Sequence, residues 1–220
     1  MDQLLTEYNI NFSKFKNIYE GRAGVLFATG PTINNYTPIL DHSETINIGL
    51  NWIFNNKLIL DNLDYYFFGS GYHFEPGTSI ESERVKEYRN NINNLDSNII
   101  KFASVYRQSK VTGLGNITPD AARNINAIPF DCQSPHGSQS FIKDIDKYQI
   151  FGLSIIFPAL QFMLYTGMKD IYLIGVDANL PRLPESWMQA KHFINDNYPS
   201  TTLHSVNPVA LKGYFNDIYS

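Results

Sequence analysis

The stretch Val25-Leu26-Phe27-Ala28-Thr29-Gly30-Pro31-Thr32-Ile33-Asn34 opens as an apolar run of strand length and breaks into a Gly-Pro-Thr turn. Such a run reads as a buried strand entering a tight loop. A second run, Ile171-Tyr172-Leu173-Ile174-Gly175-Val176-Asp177, lies far downstream and also ends in glycine and a polar residue. Ligands of open α/β sheets settle just beyond the carboxyl ends of the strands. Two such ends predict a ligand crevice in an α/β fold whose mostly parallel sheet is flanked by helices.

At 220 residues the chain is long enough for one domain with a full core. Charged residues make up only 17%, against 14 Tyr and 15 Phe. That balance excludes disorder and points to a folded domain with some adhesive surface, as in an oligomer or a membrane-peripheral protein. The net charge of -4, with no basic cluster beyond Lys14, Lys16 and Arg22, argues against a nucleic-acid partner. The lone Cys132 excludes an internal disulfide, and no motif surrounds it to mark a nucleophile. Met1 to Glu7 lacks the basic and apolar regions of a signal peptide, and no run reaches the length of a membrane span. A cytoplasmic location is expected.

Residues 1–21 predict a short helix leading into a first strand, Ala23 to Thr29. A short helix follows over Tyr36 to Leu40, then strands over Thr45 to Asn51 and Asp64 to Phe68, an exposed helix over Glu81 to Asn91, and a fourth strand over Ile99 to Ala103. Tyr106 to Asp146, rich in Gly and Pro, predicts a loop-rich insertion over residues 104–147 of a single domain. Gly152 to Thr166 predicts an apolar helix that Pro158 either kinks or begins. Gly167 closes that helix, and a fifth strand follows.

Gly30, Pro31 and Thr32 read either as a phosphate cradle leading into a helix N-terminus or as an ordinary strand-to-helix turn. Asn51 offers an amide for a sugar hydroxyl or base edge, and equally serves as a turn residue. Asp177, at the mouth of a buried strand, suits a ribose, a metal, proton transfer or a plain loop cap. His192 and His204 have the ring chemistry of a base near neutral pH, without zinc spacing. His42, His73 and His136 have weaker contexts.

Together these segments resemble the bacterial sialyltransferase superfamily of Rossmann-like glycosyltransferases. They are also similar to its relatives grouped as domain-of-unknown-function 115 or as hydroxymethylpterin diphosphokinase-like proteins. The likeness rests on residues 20–60 and 148–215, and most specifically on Gly167 to Asp177. It implies a nucleotide-sugar-binding domain. Gly30, Pro31, Thr32, Asn51 and Phe151-Gly152 would hold the nucleotide, with Asp177 helping to position it. His192 or His204 would act as general base in an inverting, metal-free displacement. The family's tyrosines after this last strand are replaced by a stretch in which Arg182 would neutralise the leaving phosphate. The implied donor is a nucleotide-activated sugar, such as a CMP-linked sialic or related nonulosonic acid, and the acceptor a glycan, as in polysaccharide biosynthesis. Family members often continue into one more strand, so the chain reads as a minimal or shortened form.

Two other functions fit the same residues. A pterin-type diphosphokinase would need Mg²⁺ held by carboxylates such as Asp177 or Asp196, whereas the transferase needs no cofactor. A non-catalytic nucleotide-binding module would bind without turnover.

Overall fold

The computed structural model describes residues 11–36, 41–69, 83–105, 119–133, 141–146, 150–151, 154–176, 183–205 and 216–217. Among them the strands are β1 (Ala23–Phe27), β2 (Ile46–Leu50), β3 (Tyr65–Phe68), β4 (Ile100–Val105), β5 (Ala127–Gln133), β6 (Ile150–Phe151), β7 (Asp170–Ile174), β8 (Thr202–Ser205) and β9 (Asn216–Asp217). They form one sheet in the order β6-β5-β4-β3-β2-β1-β7-β8-β9, and every neighbouring pair is parallel. Without the two-residue strands β6 and β9, seven parallel strands form the body of this Rossmann-like α/β fold.

The helices are α1 (Lys57–Leu60), α2 (Glu83–Asn93), α3 (Pro119–Asn124), α4 (Ile156–Tyr165) and α5 (Leu183–Asn197). Short 3-10 turns span Phe12–Phe15, Pro31–Asn35 and Ile53–Asn55. Alternation along the strands divides the core in two. Leu26, Ile48, Tyr65, Phe67 and Phe102 pack with α4, with Trp187, Ala190 and Ile194 of α5, and with Phe12 and Phe15. Val25, Phe27, Tyr66, Phe68 and Ala103 face Ile59 of α1, Tyr88 and Ile92 of α2, and Ala122 of α3. Among the described residues the aromatic side chains are largely interior, with Phe67 and Phe102 stacked at 4.5 Å and Phe162 5.0 Å from Phe102.

The all-buried α4 ends in a closed C-terminal cap. Gly167 takes a φ of 87°, its N–H donates to the Leu164 carbonyl, and the Met168 N–H donates to the Met163 carbonyl. The segment before β1 satisfies the helix's last carbonyls: the N–H groups of Asn17, Tyr19 and Gly21 donate to the oxygens of Tyr165, Thr166 and Gly167.

Several sequence expectations change. The predicted loop-rich span contains α3 and β5, and β5 extends the sheet beside β4. Pro129, at the centre of β5, argues against a central strand. It is tolerated because β6 pairs with β5 only at Cys132 and Gln133, leaving that side of Pro129 without a strand among the described residues. The predicted fifth strand is thus β7. The α4 helix starts at Ile156 rather than at residue 152, which puts Pro158 in its first turn. The predicted N-terminal helix contains a 3-10 turn at Phe12–Phe15, its first ten residues lying outside the described set. The predicted helix over 36–40 lies outside the described residues except for Tyr36, and the 3-10 turn Pro31–Asn35 precedes it. No helix among the described residues is long and apolar enough to cross a membrane.

Candidate functional site

The chain leaves β1 toward β2 on one side and returns beside β1 at β7 on the other, so the winding reverses between β1 and β7. An open sheet leaves a crevice at such a reversal, outside the carboxyl ends of the two strands. Pairing of β1 with β7 continues into both loops. The Ala28 N–H donates to the Ile174 carbonyl at 2.8 Å, and the Gly30 N–H to the Gly175 carbonyl at 2.8 Å. Gly175 has a φ of 70°, and a Cβ there would stand 2.5 Å from the Ala28 oxygen. Only glycine lets these backbones approach so closely.

That contact spends the Gly30 N–H within the protein. Gly30 precedes a five-residue 3-10 turn, whose Ile33 N–H donates back to the Gly30 carbonyl. Of the donors expected for a phosphate cradle, the Gly30 and Ile33 amides are thus paired within the protein, and a turn of five residues supplies little helix dipole. Gly30, exposed Pro31 and half-buried Thr32 follow β1 at its carboxyl end.

Asn51 stands just past the end of β2, with a φ of 42°. Its N–H donates to the Phe67 carbonyl, and its own carbonyl accepts from the Ile53 N–H and the Tyr66 hydroxyl. Asn51 Oδ1 accepts from the Gly69 N–H at 3.3 Å and the Tyr88 hydroxyl at 3.4 Å. Among the described residues its Nδ2 makes no hydrogen bond. Half-buried Trp52 lies 4.5 Å from the Tyr88 ring, and Phe54 5.5 Å from Tyr66. Burial, and then the neighbouring Tyr88, push the Tyr66 hydroxyl well above its usual pKa, so it remains a donor.

Register places Gly69 and Ser104 at the same carboxyl edge, since Phe68 pairs with Ala103. A Cβ on Gly69 would lie 3.4 Å from Ser104 Cβ and 3.5 Å from Ile155 Cδ1, so the N-terminus of α4 reaches this edge as well. Among the described residues no side chain caps that end of α4, whose N-cap is Ile155 with Ser154 before it. Of the first-turn amides, the Phe157 N–H donates to the Ser154 carbonyl and the Ala159 N–H to the Ile155 carbonyl, and Pro158 has none, which leaves the Ile156 N–H as the open donor among the described residues. The edge thus combines the Asn51 side-chain amide, the Ile156 N–H at the start of α4 and aromatic faces, a chemistry suited to a polar ligand with a flat ring.

Gly152, Asp177 and Arg182 lie outside the described residues. The two histidines are not brought to the carboxyl edge. His192 is exposed in the middle of α5, nine residues from its start. At about 1.5 Å per residue that is roughly 14 Å along the helix, which runs back toward the amino edge. His204 pairs in register with Tyr172, stacks on its ring at 4.5 Å, and reaches back to Asp170 Oδ1, 3.1 Å from its Nε2. Asp170 opens β7, at the opposite end from the crevice.

His42, by contrast, sits in a network that the sequence reading did not find. Its Nε2 is 3.1 Å from the Tyr36 hydroxyl and its Nδ1 3.3 Å from Asn47 Oδ1. Asn47 is 1% exposed and donates through Nδ2 to the His42 carbonyl, which fixes its amide orientation and makes His42 Nδ1 the donor. An asparagine inside the apolar strand Ile46-Asn47-Ile48 was the available signal, because a buried amide requires partners. Tyr66, Gly69, Tyr88, Ser104 and Ser154 carried no sequence signal; only the register of the sheet and the placement of α2 and α4 assemble them.

No family model matches the chain, and no curated protein sequence matches it. Solved structures do. The sialyltransferase CstII from Campylobacter jejuni, solved with the substrate analogue CMP-3FNeuAc, superposes with a TM-score of 0.52 at 18% identity, covering 89% of this chain and 84% of that one. The same enzyme solved with cytidine-5'-monophosphate gives a TM-score of 0.51 at 16% identity, covering 90% and 85%. A phenylalanine-to-tyrosine mutant of the alpha-2,3/8-sialyltransferase CstII gives 0.50 at 18% identity, covering 89% and 86%. At this identity the likeness establishes a shared fold, that of a sialyltransferase, across nearly the whole chain.

Proposed function

We propose that this chain is a glycosyltransferase whose donor is a nucleotide-activated sugar of the CMP-linked nonulosonic acid class. The observation that carries the reading is the carboxyl edge of the sheet beside the β1–β7 reversal, where the Asn51 amide follows β2 and the start of α4 approaches Gly69 after β3. Support comes from the sialyltransferase fold, solved elsewhere with a CMP-sugar analogue. In the proposed reaction a glycan hydroxyl attacks the anomeric carbon. The bond from that carbon to the phosphate oxygen breaks, and CMP leaves with the electron pair. Configuration inverts in the single displacement, and the acceptor proton passes to a base.

Asn51 and the Ile156 amide at the start of α4 hold the nucleotide in this account. Gly152, Asp177 and Arg182 keep the nucleotide-contact roles expected from the sequence. In this account the base is a group other than His192 and His204, since α5 carries His192 away from its own start and His204 is held beside Asp170. The test is a thermal-shift panel of CMP, CDP, UDP, GDP and ATP, with and without Mg²⁺, followed by an assay for CMP release. Binding to the native state alone raises Tm by mass action. A shift with CMP that is independent of Mg²⁺ supports the transferase. A shift with ATP that requires Mg²⁺ overturns it in favour of phosphoryl transfer.

A further inference from the structure

Two tyrosine hydroxyls converge on the oxygens of Asn51. The Asn51 carbonyl can only accept, so the Tyr66 hydroxyl donates to it. The Tyr88 hydroxyl donates to Asn51 Oδ1, 3.4 Å away, and lies 3.3 Å from the Tyr66 hydroxyl, from which it can accept. Asn51 Oδ1 also receives the Gly69 N–H. A flipped amide would set the Nδ2 hydrogens against the Gly69 N–H, donor against donor. Tyr88 is 1% exposed and comes from α2, outside the sheet, where Trp52 and Phe54 hold its ring at 4.5 and 5.7 Å.

We propose that Tyr88 is a positioning residue that, with the Gly69 N–H, holds Asn51 so that its subsite presents only hydrogen-bond donors. The ligand group seated there is consequently an acceptor: a base carbonyl, a ring nitrogen, or a hydroxyl or phosphate oxygen. This rests on the reading that a nucleotide occupies the carboxyl-edge crevice. Tyr88 touches no ligand itself and acts through the Asn51 amide.

The test measures CMP affinity by calorimetry for the wild type, Tyr88→Phe, Asn51→Asp, Asn51→Ala and the Tyr88→Phe/Asn51→Ala double variant. Asn51→Asp retains an oxygen for the Gly69 N–H and the Tyr88 hydroxyl and exchanges the outward donor for an anionic acceptor, which opposes an acceptor group of the ligand. Its Tm is expected to stay close to wild type while CMP affinity falls at least as far as in Asn51→Ala. Tyr88→Phe keeps the ring stack and is expected to weaken CMP by about 2–10-fold, the worth of one hydrogen bond. The same change should add nothing in the Asn51→Ala background, which a merely structural role would not produce. Wild-type CMP affinity in Asn51→Asp, or an equal Tyr88→Phe effect in both backgrounds, overturns the inference while leaving nucleotide binding intact. A wild type that binds no CMP overturns the occupancy of the crevice and the inference with it.

Discussion

Gly175 is the residue on which the crevice geometry turns. An alanine there would need a left-handed backbone and would press its Cβ against the Ala28 oxygen at 2.5 Å, an atom held by β1 itself. Gly21 has a similar φ of 78° with nothing within 4 Å. Gly21→Ala should therefore cost only the left-handed term, about 1–2 kcal/mol, and Gly175→Ala clearly more, about 3 kcal/mol. Urea denaturation checks the order, and equal costs would contradict the close approach of the two loops. Asp64 gives a second test. Its carboxylate, half buried, accepts the Asn47 N–H at 2.8 Å. Burial raises its pKa above 3.8, against the lowering effects of that hydrogen bond and of Arg22. A raised folded-state pKa favours the fold while the group is protonated, and that advantage is lost as pH rises through the folded value. Asp64→Asn keeps an acceptor without the charge. It should raise Tm at neutral pH, with the gain vanishing as pH falls below 3.8.

Elements were legible to different degrees, for physical reasons. The runs in β1, β2, β3, β4 and β7 are apolar on both faces, as parallel strands covered by helices require, and they stand out in the sequence. The Pro129 in β5 and the four-residue length of β8 hid those strands. Because β8 went unseen, His204 read as a tail residue free to act, whereas its strand commits the ring to Tyr172 and Asp170. The position of His192 likewise follows from the direction of α5. Removing a general base costs about 10²–10⁴-fold in turnover. His192→Ala and His204→Ala are expected to show no such loss in a CMP-release assay, and a loss of that size in either would restore the histidine as base. Gly167 was legible as a helix terminus, and its cap ties α4 to the segment before β1. Gly167→Ala meets Glu20 Cα at 3.0 Å in a left-handed backbone. It should destabilise the fold by about 1–2 kcal/mol or more, read as a lower Tm, while an unchanged Tm would contradict the docking.

At the scale of the molecule, Gly30, Asn51 and Gly175 marked the carboxyl edge because glycine and asparagine occur where strands stop. The remainder of the site was not legible, since Gly69, Tyr88, Ser104 and Ser154 converge on Asn51 only through sheet register and helix placement. The central claim is that a cytidine nucleotide occupies the carboxyl edge of the sheet from β7 and β1 across to β3. Nuclear magnetic resonance titration of the labelled protein with CMP tests it most directly. The account predicts that the amides of Gly30, Asn51, Gly69 and Gly175 shift, while those of Arg22, Lys169 and Thr202, at the amino edge, stay in place. Shifts confined to the amino edge, or none at saturating CMP, would contradict it.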